Sequence, residues 1–449
     1  MLLVSKRGLT VRDLLMLGIF LGALPFVFRH TWVGVLLWTW ISVMNPHRLA
    51  FGFAHDAPFA AVAAGATILS LFITRDKLSM PWDPPVKVLF AFVVWMCLTT
   101  AFAFYPLLSW DQLNKVLKIQ LMTAIAFAAL RERKHIELFI WVNVLSLGFF
   151  GFKGGVFTIR TEGEGRVWGP GGFIEGNNEL AVALIMVIPL MNYLRMVATR
   201  SWIRLGLLTL MLLTTVAALG SQSRGALLAV SAMGLFMWFR SERKVAAGIL
   251  IGITAVGLLA FMPSSWDQRM DTIGTYEQDT SAMGRIDAWK MTINLAGRNF
   301  FGGGFEIYRP DIYAMFAPDS IHLQGAHSIY FSVLGEHGYV GLLLFLTIWV
   351  LAFRTAGQIR QEAKKRGETL WLHYLAGMCQ VSLVGYLVGG AFLALAYFDL
   401  PYNVLVVLVV SLRWLREKRW ESEPQGAFGS AAPASQIRAA AKQKFQQWS

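Results

Sequence analysis

The sequence predicts an all-α, polytopic membrane protein with about 12 transmembrane helices. Of its 449 residues, 56% are hydrophobic and only 15% are charged, and the mean hydropathy is +0.52. Soluble domains are closer to a quarter charged. Apolar runs of roughly 15–25 residues alternate with short charged loops, as expected for helices that cross a bilayer core about 30 Å thick. The residue alternation that is typical of an outer-membrane barrel is absent from the sequence.

The apolar runs place the predicted helices in order along the chain. Two N-terminal runs, 14–28 and 32–44, are each short for a full crossing and are predicted as two tight helices or as one broken traverse. Clearer runs follow at 57–74, 86–104, 113–130, 135–151, 180–196, 203–220, 226–239, 245–262, 329–353, 370–396 and 403–415. Twelve crossings result if residues 14–44 form one traverse.

The basic residues are clustered in every second loop from residue 75 to the end of the apolar part of the chain. The clusters are Arg75, Lys77 and Lys87; Arg131, Arg133 and Lys134; Arg195, Arg200 and Arg204; Arg240, Arg243 and Lys244; Arg354, Arg360, Lys364, Lys365 and Arg366; and Arg413, Arg416, Lys418 and Arg419. Such loops face the cytoplasm. Because the net charge of +13 resides mainly in these loops, it indicates topology and not a nucleic-acid partner.

This pattern predicts a multi-pass protein of the bacterial inner membrane with cytoplasmic N- and C-termini. Residues 1–262 would form the N-terminal transmembrane helices, 263–326 a long periplasmic segment, and 327–420 the C-terminal transmembrane helices. Residues 421–449 lack a core-forming pattern and are predicted to be a disordered cytoplasmic tail. The two cysteines, Cys97 and Cys379, lie in apolar runs far apart and are predicted to be free, buried thiols.

The candidate site begins where the long periplasmic segment meets the apolar run 329–353. His327, Glu336 and His337 lie at this boundary, and ionisable side chains near lipid indicate a site because they are costly to keep there. A histidine at a helix end is more often structural than catalytic. The predicted topology, however, brings Arg224 and Arg285 to the same periplasmic surface, where an imidazole could accept a proton and guanidinium groups could stabilise a phosphate leaving group.

Each arginine also has a structural interpretation. Arg224 lies in a short periplasmic turn, against the positive-inside tendency, and is either a residue that extends to the membrane interface or part of an anion site. Arg285 begins a helix predicted from the apolar residues Ile286, Trp289, Ile293 and Ala296. The glycines 302–304 are predicted to form a turn. No metal-ligand spacing occurs in the sequence, so no metal and no other cofactor is expected.

These residues resemble the motifs of the O-antigen ligase and O-antigen polymerase superfamily of bacterial membrane glycosyltransferases. The ligase motif is His, then Asn, Ser or Gln, nine residues, Gly, two residues, and Gly, Thr or Tyr; it is matched by His327-Ser328, Gly338 and Gly341. Two further elements of the superfamily are matched by Ser223-Arg224-Gly225 and by Gly284-Arg285, Trp289, Asn299 and Gly302-Gly-Gly304. The stretch Asn45-Pro-His-Arg-Leu-Ala-Phe-Gly-Phe53 resembles the branch of exosortase-associated O-glycosylation ligases.

The resemblance implies transfer of a glycan from undecaprenyl pyrophosphate to an acceptor hydroxyl in the periplasm, with inversion and without a nucleotide sugar or metal. For the ligase, the acceptor is the lipid A–core oligosaccharide of lipopolysaccharide. His327 would be the general base, and Arg224 and Arg285 would bind the pyrophosphate. His337 and Glu336 are second candidates, which would orient the base or the acceptor. Membrane lipids would surround the helices.

Three other functions are open at this point. A polymerase would join one lipid-linked repeat to another, and a protein O-oligosaccharyltransferase would use the same donor with a protein acceptor. A transporter of lipid-linked glycans is the non-enzymatic alternative. Transporters commonly show internal repeats and charges near the middle of the membrane, whereas here the unusual charges collect on one predicted face. That distribution favours an enzyme.

Overall fold

A computed structural model describes residues 10–240, 244, 245, 248, 252 and 280–423. The helices with defined bounds are α1 (Val11–Arg29), α2 (Thr31–Met44), α3 (Phe59–Ile73), α4 (Pro84–Ala101), α5 (Pro106–Ala129), α6 (Arg133–Arg160), α7 (Asn177–Val197), α8 (Ser201–Gly220), α9 (Arg224–Arg240), α10 (Thr280–Arg298), α11 (Pro310–Phe316), α12 (Ile329–Ala363), α13 (Leu370–Gly389) and α14 (Asp399–Arg416). No strand occurs among the described residues. The all-α prediction is confirmed for this part of the chain.

Seven of these helices are long and apolar enough to cross a membrane, namely α1, α4, α6, α7, α8, α12 and α13, the last continuing to Phe392. The helices α2 and α3 are also apolar but shorter. Most of the predicted run 245–262, all of residues 263–279 and the tail beyond residue 423 lie outside the described residues. The total of about 12 crossings and the periplasmic location of residues 263–326 therefore stay predictions.

The first two helices form an antiparallel hairpin that turns at His30. Near the start of α1, the Asp13 carboxylate accepts a hydrogen bond of 3.0 Å from the backbone N–H of Ala54, which follows the end of α2. At the turn, His30 Nδ1 lies 3.0 Å from the Asp76 carboxylate, just beyond α3. The interpretation of residues 14–44 as one broken traverse is therefore wrong, because the two helices run side by side in opposite directions.

The hairpin also determines at which end of the bundle the first described helix begins. The loop end of the bundle, defined as the end that carries residues 161–176, includes Asn45, whose side-chain amide contacts the Gly171 carbonyl at 3.5 Å. The basic end, at residues 130–132, includes the last turn of α14, where Arg413 donates to the Ser79 carbonyl at 2.7 Å. The start of α1 lies at the loop end and the end of α14 at the basic end. The cytoplasmic location of both chain ends stays a prediction, because residues 1–9 and 424–449 lie outside the described residues.

The core of the bundle is built around α14. Nearly all of its residues are buried, and it packs against α5, α6, α12 and α13. The helices α7 and α9 pack against α13, and α4 packs against α12, so helices from the two halves of the sequence interleave. Close side-chain packing is what holds helices together in lipid, where burial of apolar surface contributes little.

The glycine cluster predicted as a turn forms a specific pairing with α12. Gly338 has φ 67° and interrupts the regular helix. The backbone N–H groups of Gly303 and Gly304 donate, both at 2.9 Å, to the carbonyls of Gly335 and Glu336 just before this kink. Carbonyls that lose their helical partners at a kink need such donors. The segment 302–304 is thus fixed against α12.

The helix predicted around Arg285 is confirmed as α10, but its buried face agrees only in part with the predicted one, at Ala296. The predicted face was Ile286, Trp289, Ile293 and Ala296, yet Ile293 is 44% exposed. The face that packs against α11 and α12 contains Gly284, Ala288, Met291 and Leu295. The sequence contains two overlapping apolar stripes, and the contact with neighbouring helices selects one of them.

The two cysteines differ from each other. Both are free, and Cys379 on α13 is buried as predicted, whereas Cys97 on α4 is exposed. The prediction for Cys97 was wrong because the apolar surface of α4 is only partly covered by other helices. In a chain that crosses a membrane, such an exposed apolar surface faces lipid.

Candidate functional site

The site lies at the loop end, where residues 161–176 fold over the turn before α9. The Asn177 side chain, in the first turn of α7, donates to the Ser221 carbonyl at 2.7 Å. Gln222 accepts a hydrogen bond of 3.2 Å from Arg166. Gln222 has φ 55°, a left-handed conformation that is typical of a tight turn. The turn places Arg224 at the first position of α9, beside the loop that carries Arg166.

Aromatic side chains connect the start of α9 to the residues around His327. Gly225 lies against Phe392, after α13, and the Phe392 ring centroid is 6.5 Å from that of Trp289 on α10. Trp289 in turn stacks on Phe331 with a centroid distance of 4.7 Å. Its indole N–H donates to the Ala326 carbonyl at 2.8 Å. Elements from distant parts of the sequence therefore meet at one place.

Arg285 lies close enough to His327 for the two side chains to interact electrostatically. His327 is largely buried, and burial lowers the pKa of its imidazole below the ordinary value of 6.5; the positive charge of Arg285 lowers this pKa further. Arg285 also interacts electrostatically with Glu179 in the first turn of α7. At neutral pH the imidazole is consequently uncharged and available to accept a proton.

The backbone at His327 is unusual. Its φ of 42° lies in the left-handed region, which is uncommon for a residue other than glycine and costs of order 1 kcal/mol or more. Trp289 holds the preceding residue, Ala326, through the hydrogen bond already described, and the following residue, Ser328, begins α12. The imidazole direction is thus set by fixed neighbours on both sides.

Three helices, α7, α9 and α12, begin next to these residues. The first N–H groups of a helix have no partner within the helix and carry partial positive charge, which favours anions. Ser328 occupies the N-cap of α12, but its side chain makes no capping hydrogen bond, and its buried hydroxyl has no hydrogen-bond partner among the described residues. Together with Arg224 and Arg285, these groups make a site suited to a phosphate group.

Glu336 and His337 lie in a separate, buried cluster at the kink of α12. The His337 side chain is fully buried, and its Nδ1 atom is 2.7 Å from the Thr99 hydroxyl. Glu336 accepts a hydrogen bond of 2.5 Å from Tyr397. Although the two residues are neighbours in the chain, the Glu336 Oε2 and His337 Nε2 atoms are 4.0 Å apart, which is too far for a hydrogen bond between the side chains. The structure thus brings Arg285 to His327 and places Arg224 at the same end, but it does not bring Glu336 and His337 into that group.

Sequence reasoning missed Glu179 and the role of Ser328 as the N-cap of α12. One signal for Glu179 was available: a single acidic residue in the first turn of an apolar helix. Its proximity to Arg285, more than 100 residues later in the chain, had no signal in the sequence. Among the described residues, no group of three or more His, Cys, Asp or Glu side chains could hold a metal ion. That no metal or cofactor takes part stays a prediction.

Comparison with known families gives two matches. A family model described as O-antigen ligase matches residues 208–346. This range contains the two arginines and His327, as well as Glu336 and His337. A family of unknown function matches residues 11–199, which include the hairpin and Glu179. No curated protein matches the chain.

Proposed function

We propose, from the premise that this chain belongs to the O-antigen ligase superfamily, that it is a membrane glycosyltransferase of the ligase type. It would transfer a glycan from undecaprenyl pyrophosphate to a hydroxyl of the lipid A–core oligosaccharide. The observation that carries the proposal is the electrostatic interaction of Arg285 with the largely buried His327, whose pKa is lowered first by burial and then by this positive charge. A base and a phosphate-binding cation next to each other are what this reaction needs.

The donor pyrophosphate would bind to Arg224 and Arg285. A guanidinium group forms paired hydrogen bonds to phosphate oxygens, which fixes both position and orientation. The starts of α9 and α12 would add backbone N–H groups and the Ser328 hydroxyl. Glu179 would hold the Arg285 side chain in place through the interaction of their opposite charges. The polyprenyl chain would lie along the apolar helices in the membrane.

His327 would act as the general base. As the acceptor oxygen attacks the anomeric carbon, its proton passes to the imidazole, and the bond from that carbon to the pyrophosphate oxygen breaks on the opposite side. The configuration at the anomeric carbon is thereby inverted. The negative charge that develops on the leaving pyrophosphate is stabilised by the two arginines, so the mechanism invokes neither a metal ion nor a cofactor.

In this proposal Glu336 and His337 have a positioning role and do not touch the substrates. Their contacts with Tyr397 and Thr99 hold the kink of α12 against α4 and the chain before α14. The loop end would face the periplasm of the bacterial inner membrane and the basic end the cytoplasm. The division into residues 1–262, 263–326, 327–420 and 421–449 is retained as a proposal.

One reconstitution distinguishes the alternatives. Purified protein is incubated with lipid-linked glycan and lipid A–core, without nucleotide sugar, and the products are separated by mass. A ligated lipid A–core product is expected. A product that contains only lengthened donor would instead identify a polymerase, and transfer to an added protein acceptor would identify a protein glycosyltransferase. If the protein binds the donor but forms no product with any of the three acceptors, the proposal is contradicted.

Arg224 variants test the phosphate site within the same assay. Arg224→Ala should lose more activity than Arg224→Lys, because lysine retains the charge but not the paired hydrogen bonds. Arg366→Ala, at the basic end, is the matched control and should keep full activity. Equal turnover by wild type and Arg224→Ala, at equal protein levels, would show that Arg224 only reaches the membrane interface.

A further inference from the structure

A cavity lies at the basic end, far from the candidate site. It has a volume of about 520 Å³ and is enclosed by α6, the end of α7 and the beginning of α8. Its charged lining residues are Arg133, Glu137 and Arg200. The cavity is large enough for a lipid headgroup and its glycerol. Because α7 spans the distance from Asn177 at the loop end to Val197 here, this cavity is separate from the site.

Of the two arginines that line the cavity, only one forms an ion pair with a described residue. Arg133 donates to the Glu137 carboxylate at 2.7 Å, and both side chains are nearly buried. This ion pair is therefore neutral as a unit. Arg200 is exposed at the opening, and its guanidinium makes no hydrogen bond or ion pair with a described residue. The lining thus carries one net positive charge, located on Arg200.

The start of α8 adds to this positive charge. Arg200 is the N-cap of α8, and no side-chain hydrogen bond caps the helix. Its first backbone N–H groups lack partners within the helix and favour an anion next to Arg200. This helix end borders the cavity, and its N-cap residue also supplies the uncompensated guanidinium group, so backbone and side chain both favour an anionic ligand at the same place.

The remaining lining indicates the depth of the cavity in the membrane. Trp141 and Trp202 are on its walls, and Trp202 is 68% exposed. Tryptophan is enriched where lipid headgroups meet the hydrocarbon core. Val197 and Ile203 supply apolar wall beside them. A ligand here would therefore have a charged part at Arg200 and apolar chains along the helices.

We propose that this cavity binds one anionic glycerophospholipid of the phosphatidylglycerol class. Its phosphodiester would accept hydrogen bonds from Arg200 and from the start of α8. Its acyl chains would extend along Val197 and Ile203. The single negative charge of this headgroup matches the single net positive charge of the lining, whereas a zwitterionic headgroup does not. The proposal is independent of the reaction catalysed at the loop end.

Native mass spectrometry of the full-length protein tests this proposal. The protein in detergent is mixed with phosphatidylglycerol, phosphatidylethanolamine or phosphatidylcholine, and retained lipid is measured. Wild type should retain one phosphatidylglycerol in preference to the other two. Arg200→Gln should weaken retention about tenfold, as expected for loss of a charge-assisted hydrogen bond to phosphate. Val197→Trp, which fills the cavity without changing charge, should weaken it as well.

Lys365→Gln is the matched control, because it removes one positive charge from an exposed position at the same end, outside the cavity. It should retain the lipid as wild type does. Unchanged thermal unfolding of all variants in lipid-free detergent shows that they are folded. Equal retention of phosphatidylcholine, or equal loss in the control variant, would overturn the proposal in favour of nonspecific lipid. Full retention by both Arg200→Gln and Val197→Trp would overturn it too.

Discussion

The indole N–H of Trp289 donates to the carbonyl of Ala326 at 2.8 Å. This bond links α10, which carries Arg285 one turn earlier, to the residue immediately before His327. The same indole stacks on Phe331 in the first turn of α12. One side chain thus sets the distance between the helix that would hold the phosphate and the residue that would act as the base.

Trp289→Phe tests this link. Phenylalanine retains most of the stacking surface on Phe331 but cannot donate to Ala326, and the lost hydrogen bond is worth about 1 kcal/mol. We expect transfer to fall about tenfold, mainly in kcat, because the base is less well placed while the donor still binds. Trp110→Phe, at an exposed position on α5, is the control. An unchanged kcat for Trp289→Phe would show that the bond does not position His327.

The two histidines should respond differently to alanine substitution. His327→Ala should lower transfer by about 10²–10⁴-fold, the usual contribution of a general base, with little change in thermal stability. His337→Ala should destabilise the fold by about 2–4 kcal/mol, because it leaves a cavity and removes the contact with Thr99. Activity assays are paired with thermal unfolding in detergent. A stable but inactive His337→Ala protein, together with an active His327→Ala protein, would reverse the assignment.

The pH dependence of transfer should follow His327. Its pKa lies below the ordinary 6.5, so the imidazole is uncharged at neutral pH and the rate should fall as pH drops through this lowered value. Arg285→Gln removes a positive charge that lowers the pKa, so the midpoint should move to higher pH. Arg285→Lys keeps the positive charge, so the midpoint should stay nearly unchanged.

Because Arg285 variants are expected to be weak enzymes, the midpoint is best measured without turnover. The rate of diethyl pyrocarbonate modification of His327, read by peptide mass spectrometry across pH, reports the uncharged imidazole directly. An identical midpoint for wild type and Arg285→Gln would exclude the proposed electrostatic contact. His322, in the same loop, provides an internal reference.

Gly338→Ala should be strongly destabilising. The backbone there is left-handed, which costs an L-residue about 1–2 kcal/mol, and the added Cβ would collide with the Phe300 carbonyl. Gly297→Ala on α10 is the matched control, because a Cβ there meets no atom within 4 Å and alanine is favoured in a helix by about 0.5–1 kcal/mol. Thermal unfolding should therefore shift in opposite directions. A neutral Gly338→Ala would contradict the observed kink.

Cysteine labelling tests the hairpin and the orientation together. In a cysteine-free background, Glu164→Cys should react with a membrane-impermeant thiol reagent from the periplasm, and Lys364→Cys should not. Val11→Cys is the informative position, since the hairpin places it at the loop end with residue 164, whereas the basic N-terminus predicts the cytoplasm. Val11 is 83% exposed. Labelling of Lys364→Cys but not Glu164→Cys would reverse the orientation.

Much of the fold could be predicted from the sequence because the apolar runs are long and well separated. The runs 180–196 and 203–220, for example, differ by at most three residues at each end from α7 and α8. Helix pairing was less predictable. The hairpin at His30 depends on contacts with Ala54 and Asp76, and the hydropathy of residues 14–44 is the same for a hairpin and for a broken traverse.

The sequence by itself determined that the described chain is helical and that Arg224, Arg285 and His327 belong to recognisable motifs. Those properties depend on composition and on residues close together in the chain. Only the tertiary structure decided that Glu179 lies near Arg285, that His337 is enclosed beside Thr99, and that α12 kinks where residues 302–304 pair with it. Each of these contacts joins separate helices or loops, and which faces meet depends on how side chains of the whole bundle pack together.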